Sequence, residues 1–329
     1  IYVGGGFGLF ALRAGALAEG KRFAMVSREG ALVFNNVMLS GILAVVLLGT
    51  LYPLAAEALG TRVSIGPPYY NPVSAIFAVP MLLVLLVGPL LRWKRDSLSR
   101  IAVPLAIVGA LLAASVTVLV LFTDAGVLPI LGLAIAVALA LASWLPLRGR
   151  RLKLVPLALW GSMLAHFGVA VSLAGMASET AFSIERLVAV EAGESVALGP
   201  YQVTLQEVDP VAGPNWTALE GRLAITGGGV DTVLRPQARY FTDPPQSTSE
   251  SALLTRWDGQ FYAILGDAAG EGRWQLRLWG KPFVTLIWYG ALLIALGGLL
   301  SIFGHLRASA RSRRIREEVI RRRAEKAAL

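Results

Sequence analysis

Residues 154–176 read LVPLALWGSMLAHFGVAVSLAGM, an apolar run whose one group titrating near neutral pH is His166. A run of this length, at a rise of about 1.5 Å per residue, matches a bilayer hydrocarbon core of roughly 30 Å. An ionisable side chain at that depth is costly, so it ordinarily faces a bundle interior and does chemistry there. Imidazole adds a specific possibility, because its neutral nitrogen is the commonest protein ligand of haem iron. Ser162 and Ala170 lie one turn either way on the His166 face, with Gly161, Ala165 and Gly168 close by. Residues this small admit a flat macrocycle or a second helix. On residue type and depth alone two readings stand: a cofactor ligand, or a histidine hydrogen-bonded to a neighbouring helix.

The rest of the chain sorts itself around that run. Its 329 residues are only 16% charged, and the mean hydropathy is +0.63, far from a soluble domain. Further spans are expected at Ala31–Pro53, Val73–Leu91, Ile101–Phe122, Gly126–Pro146 and Phe283–Gly304. The fold class is therefore a polytopic α-helical membrane protein with a small antiparallel β-rich domain inserted before the last transmembrane helix. The organisation expected is a helix bundle over 1–176, a periplasmic β domain over 177–282, a final span over 283–305 and a basic tail over 306–329. Cysteine is absent, which excludes disulfides, thiolate metal sites and a cysteine nucleophile.

The net charge of +9 suggests nucleic acid until its distribution is examined. Residues 177–282 carry 8 Lys/Arg against 13 Asp/Glu, while the remainder carries 22 against 8. The excess lies in short loops: Arg13, Lys21, Arg22 and Arg28, then Arg92, Lys94, Arg95 and Arg100, then Arg148, Arg150, Arg151 and Lys153, and finally the C-terminus. The alternate loops hold only Glu57 with Arg62, and Asp124. That alternation is the positive-inside pattern, so the basic side is expected in the cytoplasm and the acidic insert outside. No nucleic-acid partner is implied.

Ile1–Leu12 is apolar, ends at Arg13 and is too short to span; it reads as the last half of a helix. Gly4 and Gly8 are spaced for close helix packing, and no Gly-Lys-Ser/Thr follows to make a phosphate loop. Asn35 and Asn36 sit one to two turns inside the second helix, where amides are expected to turn to a neighbour, a cofactor or water. Pro67-Pro68 suggests extended backbone in an outer loop, with Tyr69 and Tyr70 at the interface.

From about Thr180 to Gly280 the period changes to two. Tyr201–Val208, Leu219–Ile225, Thr232–Phe241 and Gly272–Trp279 alternate, separated by turn clusters at Gly227–Gly229, Asp243–Pro245 and Asp267–Gly270. Gly213-Pro214-Asn215-Trp216 reads as a loop tip. The insert contains no histidine and no serine–histidine or paired-carboxylate arrangement, so hydrolysis is not expected. His305 lies at the inner end of the last span, too far in depth from His166 to share an iron. In the tail, Glu317–Arg321 and Glu318–Arg322 have helical pair spacing.

Several motifs in order then resemble one family. They are Ser27-Arg28-Glu29 with Asn35-Asn36, Gly66-Pro67-Pro68 with Tyr69, Tyr70 and Asn71, and Gly88-Pro89-Leu90 before Arg92-Trp93. Trp160-Gly161 with Ala165-His166-Phe167-Gly168, Gly213–Trp216, Lys281-Pro282-Phe283 and Ala295–Gly298 follow. Nearly the whole chain is similar to the C-terminal half of the CcmF family of bacterial cytochrome c maturation, which is close to the NrfE proteins. The resemblance implies a component of a cytochrome c haem lyase, joining haem vinyl groups to the cysteines of Cys-x-x-Cys-His. It implies His166 as one axial ligand of a membrane haem b iron. The implied partners are the upstream half of the protein (fused or separate), the haem carrier CcmE, CcmH/CcmI-type apocytochrome chaperones, apocytochrome c and quinol. The family's other axial histidine, its tryptophan-rich WWD segment and its two periplasmic histidines have no counterpart here. Arg256-Trp257-Asp258 echoes that segment by chance, since it falls in the β insert. The resemblance thus assigns no catalytic residue to this chain. The competing reading is a non-haem assembly scaffold or transporter with a partner-binding β ectodomain. Transport is disfavoured because the spans lack paired charges and broken half-helices.

Overall fold

The structure, a computed structural model, describes residues 2–17 and 23–327. It divides into two compact units, residues 1–109 and 110–329. Among the described residues, six helices are long and apolar enough to cross a membrane, in line with the six apolar runs.

The first unit holds α1 (Tyr2–Leu17), α2 (Arg28–Ala58), α3 (Pro67–Val87) and the start of α4 (Leu98–Phe122). Ser27 caps α2: its buried hydroxyl accepts from Gly30 N at 3.0 Å and donates to the Ala24 carbonyl at 2.6 Å. Pro67 and Pro68 do not extend a loop but open α3, because proline's fixed φ suits a first helical turn and its missing N–H costs nothing there. Tyr70 consequently lies within α3 and packs on Gly49 of α2, where a Cβ would sit 2.7 Å from the ring. Pro53 does not end its helix; α2 continues to Ala58. Asn35 is half-buried and Asn36 exposed, with neither side-chain amide hydrogen-bonded within the described residues. Gly4 and Gly8 have open space where a Cβ would stand, so among the described residues no helix packs on them. Lys21 and Arg22 lie outside the described residues.

Two segments of this unit, some 65 residues apart, clasp each other. Ala24 N donates to Lys94 O (2.9 Å), Arg28 N to Arg92 O (2.9 Å) and Asp96 N to Val26 O (2.8 Å), an irregular antiparallel ladder. Glu29 accepts from Lys94 N at 2.6 Å. Asp96 accepts from the amides of Arg92 and Ser97, both at 2.8 Å, and pairs with Arg100. The Arg100 hydrogen bond, helped by those amides, holds the Asp96 carboxyl well below the usual carboxylate range.

The second unit contains the rest of α4, then α5 (Val127–Ala142), α6 (Leu157–Phe182), strands β1 (Ile184–Val190) to β10 (Arg273–Pro282) and α7 (Leu286–Ala327). Helix α6 runs six residues past the expected end of its span, so the β domain starts at Ile184 rather than at 177. The last span and the tail are one continuous helix of 42 residues. The side chains of Arg321 and Arg322, and with them the expected tail pairs, lie outside the described residues.

The insert is a β-sandwich. One sheet has the order β1-β10-β9-β8, where β9 is Gly259–Gly270 and β8 is Ala252–Arg256. The other has β2-β3-β4-β6-β7 with β5 beside β4; these are Ser195–Leu198, Tyr201–Ala212, Trp216–Gly227, Gln237–Thr242, Pro245–Glu250 and Val230–Leu234. Val203 and Leu205 of β3, Leu223 and Ile225 of β4, Phe261 and Leu265 of β9, and Leu276 and Leu278 of β10 interleave in the core. Each such side chain contributes about 1.5–3 kcal/mol by leaving water. The expected Thr232–Phe241 strand is broken at Arg235-Pro236, so that β5 and β6 pair with different halves of β4. Asp267–Gly270 is not a turn but the end of β9, the reversal coming at Glu271-Gly272. Gly213–Trp216 is the tight β3–β4 reversal, closed by Gly213 N donating to Trp216 O at 2.8 Å.

Candidate functional site

His166 is half-buried on α6. Its Nδ1 lies 2.7 Å from the Ser162 carbonyl, one turn back. A carbonyl only accepts, so Nδ1 carries the proton, and in the neutral ring Nε2 is left with its lone pair. No group of the described residues hydrogen-bonds Nε2. This is the arrangement by which a ligating histidine is held in one tautomer and orientation while the other nitrogen is offered to a metal. The site thus fits one axial bond to a haem iron, and a bis-histidine centre would require a second imidazole from beyond this unit's α6.

Of the two occupants that small residues near His166 admit, a macrocycle or a second helix, the structure shows the helix. Gly161, Gly168 and Gly175 recur every seven residues on α6, and Gly290, Gly297 and Gly304 every seven on α7. A Cβ on Gly168 would stand 2.7 Å from both Gly290 O and Ile294 N. One on Gly161 would meet Ser301 N at 2.3 Å, and one on Gly297 would meet Ala165 N at 2.4 Å. The two helices are antiparallel and touch backbone to backbone along a stripe with the coiled-coil repeat. Ser172 adds an interhelical hydrogen bond to Ile287 O at 3.1 Å. At 100° per residue, His166 points well away from this stripe, so Gly161, Ala165 and Gly168 receive α7 and not a macrocycle.

Helix α5 lies against another side of α6. A Cβ on Gly132 would approach the Ala177 Cβ to 2.9 Å, and Trp144 meets Phe167 edge-on at 5.8 Å. His166 therefore sits on a helix fixed rotationally by two neighbours. The α6–α7 register also settles the second histidine. Gly304 packs on Ala158, so the exposed His305 lies a little over two turns from His166 along the helix axis, roughly 12 Å in depth at 1.5 Å per residue. The separation is smaller than the sequence suggests, since α6 starts at Leu157 and not Leu154, but it still forbids a shared iron. Among the described residues no cluster of three or more metal-ligating side chains occurs.

The junction of the β domain with the helices was not legible beforehand. Lys281 at the end of β10 pairs with Glu179 of α6 at 2.9 Å. Phe283, at φ 60°, donates its amide to Asp258 O at 2.7 Å, and the buried Thr285 donates to Trp257 O at 2.9 Å. The Arg256-Trp257-Asp258 turn is thus the socket that receives the start of α7. A non-glycine residue in the left-handed region is the signature of such a constrained corner, and Lys281-Pro282-Phe283 was its only trace in the sequence.

Comparison with known proteins adds the following. The family model described as CcmF C-terminal beta-sandwich matches residues 181–282. The chain is 36% identical to the cytochrome c-type biogenesis protein CycK of Rhizobium meliloti, over 92% of this chain and 47% of CycK. It is 36% identical to CcmF of Escherichia coli, over 92% of this chain and 48% of CcmF. It is 29% identical to NrfE of Haemophilus influenzae, over 91% of this chain and 48% of NrfE. A solved structure of the cytochrome c haem lyase CcmF superposes with a TM-score of 0.69 at 27% identity, covering 90% of this chain and 49% of that one. The chain spans about half the length of the curated relatives it matches.

Proposed function

The chain belongs to the CcmF family of cytochrome c-type biogenesis proteins, matching the C-terminal half of its members, and from that premise we propose that it is the haem-b-holding scaffold half of a cytochrome c haem lyase. The observation that carries this reading is the Nε2 of His166, oriented by the Ser162 carbonyl and free to bond iron. When bound, haem b supplies a one-electron relay from quinol that keeps the substrate haem reduced. The role of this chain's own residues is to fix that nitrogen: Ser162 O sets the tautomer, and the α5 and α7 contacts set the rotation of α6.

The overall reaction adds the S–H of each cysteine of Cys-x-x-Cys-His across a haem vinyl group. Nothing in this chain's loops can grip that haem by imidazole, so the substrate site falls to the upstream half. CcmE would deliver the haem there, and CcmH/CcmI-type chaperones would present the apocytochrome c. The β-sandwich, held to α6 and α7 by the Glu179–Lys281 pair and the Trp257 socket, supplies a docking surface for them. Co-expression with a reporter apocytochrome, in a host lacking its own maturation system, tests this division. Covalent haem on the reporter is expected only when the upstream half is supplied; attachment by this chain alone would put the active site here.

The same reading puts the protein in the bacterial inner membrane, with the β domain in the periplasm and the C-terminus in the cytoplasm. The motive is the loop-by-loop asymmetry of Lys and Arg. Cysteines introduced as Ser247→Cys on β7 and Ser97→Cys before α4 should label oppositely with an impermeant reagent, Ser247→Cys from outside. Labelling of Ser97→Cys alone from outside would invert the topology.

A further inference from the structure

The clasp of the first unit has a chemistry that orientation signals do not need. Both of its acids are turned inward: Glu29 takes the Lys94 amide, and Asp96 takes two amides and Arg100. Its remaining cations are left uncompensated. Arg92, Lys94 and Arg95 are exposed, and among the described residues their side chains make no ion pair or hydrogen bond. Arg28 lies only over the Trp93 ring, 5.1 Å from its centroid. Lys94 has φ 65°, a conformation that side-chain-bearing residues rarely adopt. It is kept there from both sides, its amide by Glu29 and its carbonyl by Ala24 N at 2.9 Å. A loop that needs only to be positive has no use for fixed backbone; a loop that binds an anion gains from it.

We propose that this clasp binds the phosphate of an anionic phospholipid headgroup through Arg28, Arg92, Lys94 and Arg95. Its place in the fold selects a lipid over a soluble anion. Helix α3 ends here, while α2 and α4 begin here, all three apolar enough to span a membrane, so the clasp lies at a membrane surface. The N-termini of α2 and α4 add partial positive charge. Trp93, 58% exposed, is the residue type that seats at headgroup level.

The test uses the full chain in micelles doped with phosphatidylglycerol or phosphatidylcholine, with bound lipid counted by native mass spectrometry. Wild type is expected to retain phosphatidylglycerol selectively. The triple variant Arg92→Gln/Lys94→Gln/Arg95→Gln should bind it about a hundredfold more weakly, since each basic side chain near a membrane surface is worth about a factor of five. A tail variant, Arg311→Gln/Arg313→Gln/Arg314→Gln, should keep the selective lipid. Asp96→Asn raises the net charge but loosens the loop, and should weaken binding as well. Equal retention of both lipids, undiminished binding in the triple variant or tighter binding in Asp96→Asn would each overturn the site. Displacement of the lipid by millimolar inorganic phosphate would show that the clasp reads phosphate alone and would overturn the lipid assignment.

Discussion

In a preparation containing both halves of the protein, His166→Ala is expected to lose the b-type haem absorption while the chain still inserts and keeps its β-sandwich. On the proposed function, removing the imidazole would delete the bond to iron, and with it at least about tenfold in haem occupancy, since disturbing even the groups behind a metal ligand costs 10–100-fold. It would delete little else, because the ring is half-buried and its single hydrogen bond is to the carbonyl of its own helix. A packing role predicts the reverse pattern: altered stability with the spectrum intact. Added imidazole should restore part of the absorption in His166→Ala, by occupying the space the side chain left. His305→Ala should leave the spectrum unchanged, given its exposure and the depth offset set by Gly304 on Ala158. An unaltered haem spectrum and midpoint potential in His166→Ala would return this residue to ordinary packing and remove the support for the proposed function.

The second large effect is expected at Gly168. A leucine there must place its Cβ where Gly290 O and Ile294 N already stand at 2.7 Å, and both are backbone atoms that no rotamer change can move. The helices must part along the whole stripe, which also carries the Gly161 and Gly175 contacts and the Ser172 bond to Ile287 O. Alanine alone should cost about 1–3 kcal/mol by overpacking, and leucine should abolish monodisperse protein. Gly298→Ala is the control. It neighbours Gly297 on the same helix, but nothing lies within 4 Å of its Cβ position, so it should be neutral or stabilise by about 0.4–1 kcal/mol through lower chain entropy. Thermal stability in detergent would measure all three. Gly168→Leu as stable as wild type would mean that α6 and α7 do not meet through these glycines.

What the sequence determined by itself was local or compositional. Hydropathy summed over about twenty residues is a property of the segment alone, so the number of spans, and the polar insert before the last of them, could be read directly. The same holds for the change to a two-residue period near Thr180 and for the isolation of one histidine in an apolar run. Boundaries were less secure where a local cue pointed two ways: Pro67-Pro68 fits both extended chain and a first helical turn, and the tertiary contact of Tyr70 with Gly49 favours the helix.

Only the tertiary structure decided which face of α6 meets what. The heptad glycines of α6 and α7 are visible as two stripes more than a hundred residues apart, but a stripe of small residues does not name its partner. That depends on backbone complementarity between two segments, and it decided between a macrocycle and a second helix as the neighbour of Gly161, Ala165 and Gly168, in favour of the helix. Strand pairing is non-local in the same way: β4 divides its edge between β5 and β6 because Pro236 breaks the run. So is the clasp, where Ser27-Arg28-Glu29 and the loop around Trp93 are separate motifs in the chain and one site in space. Composition and period are fixed by neighbours in sequence, whereas the orientation of a side chain toward a partner is fixed by whatever packs on the opposite face of its element.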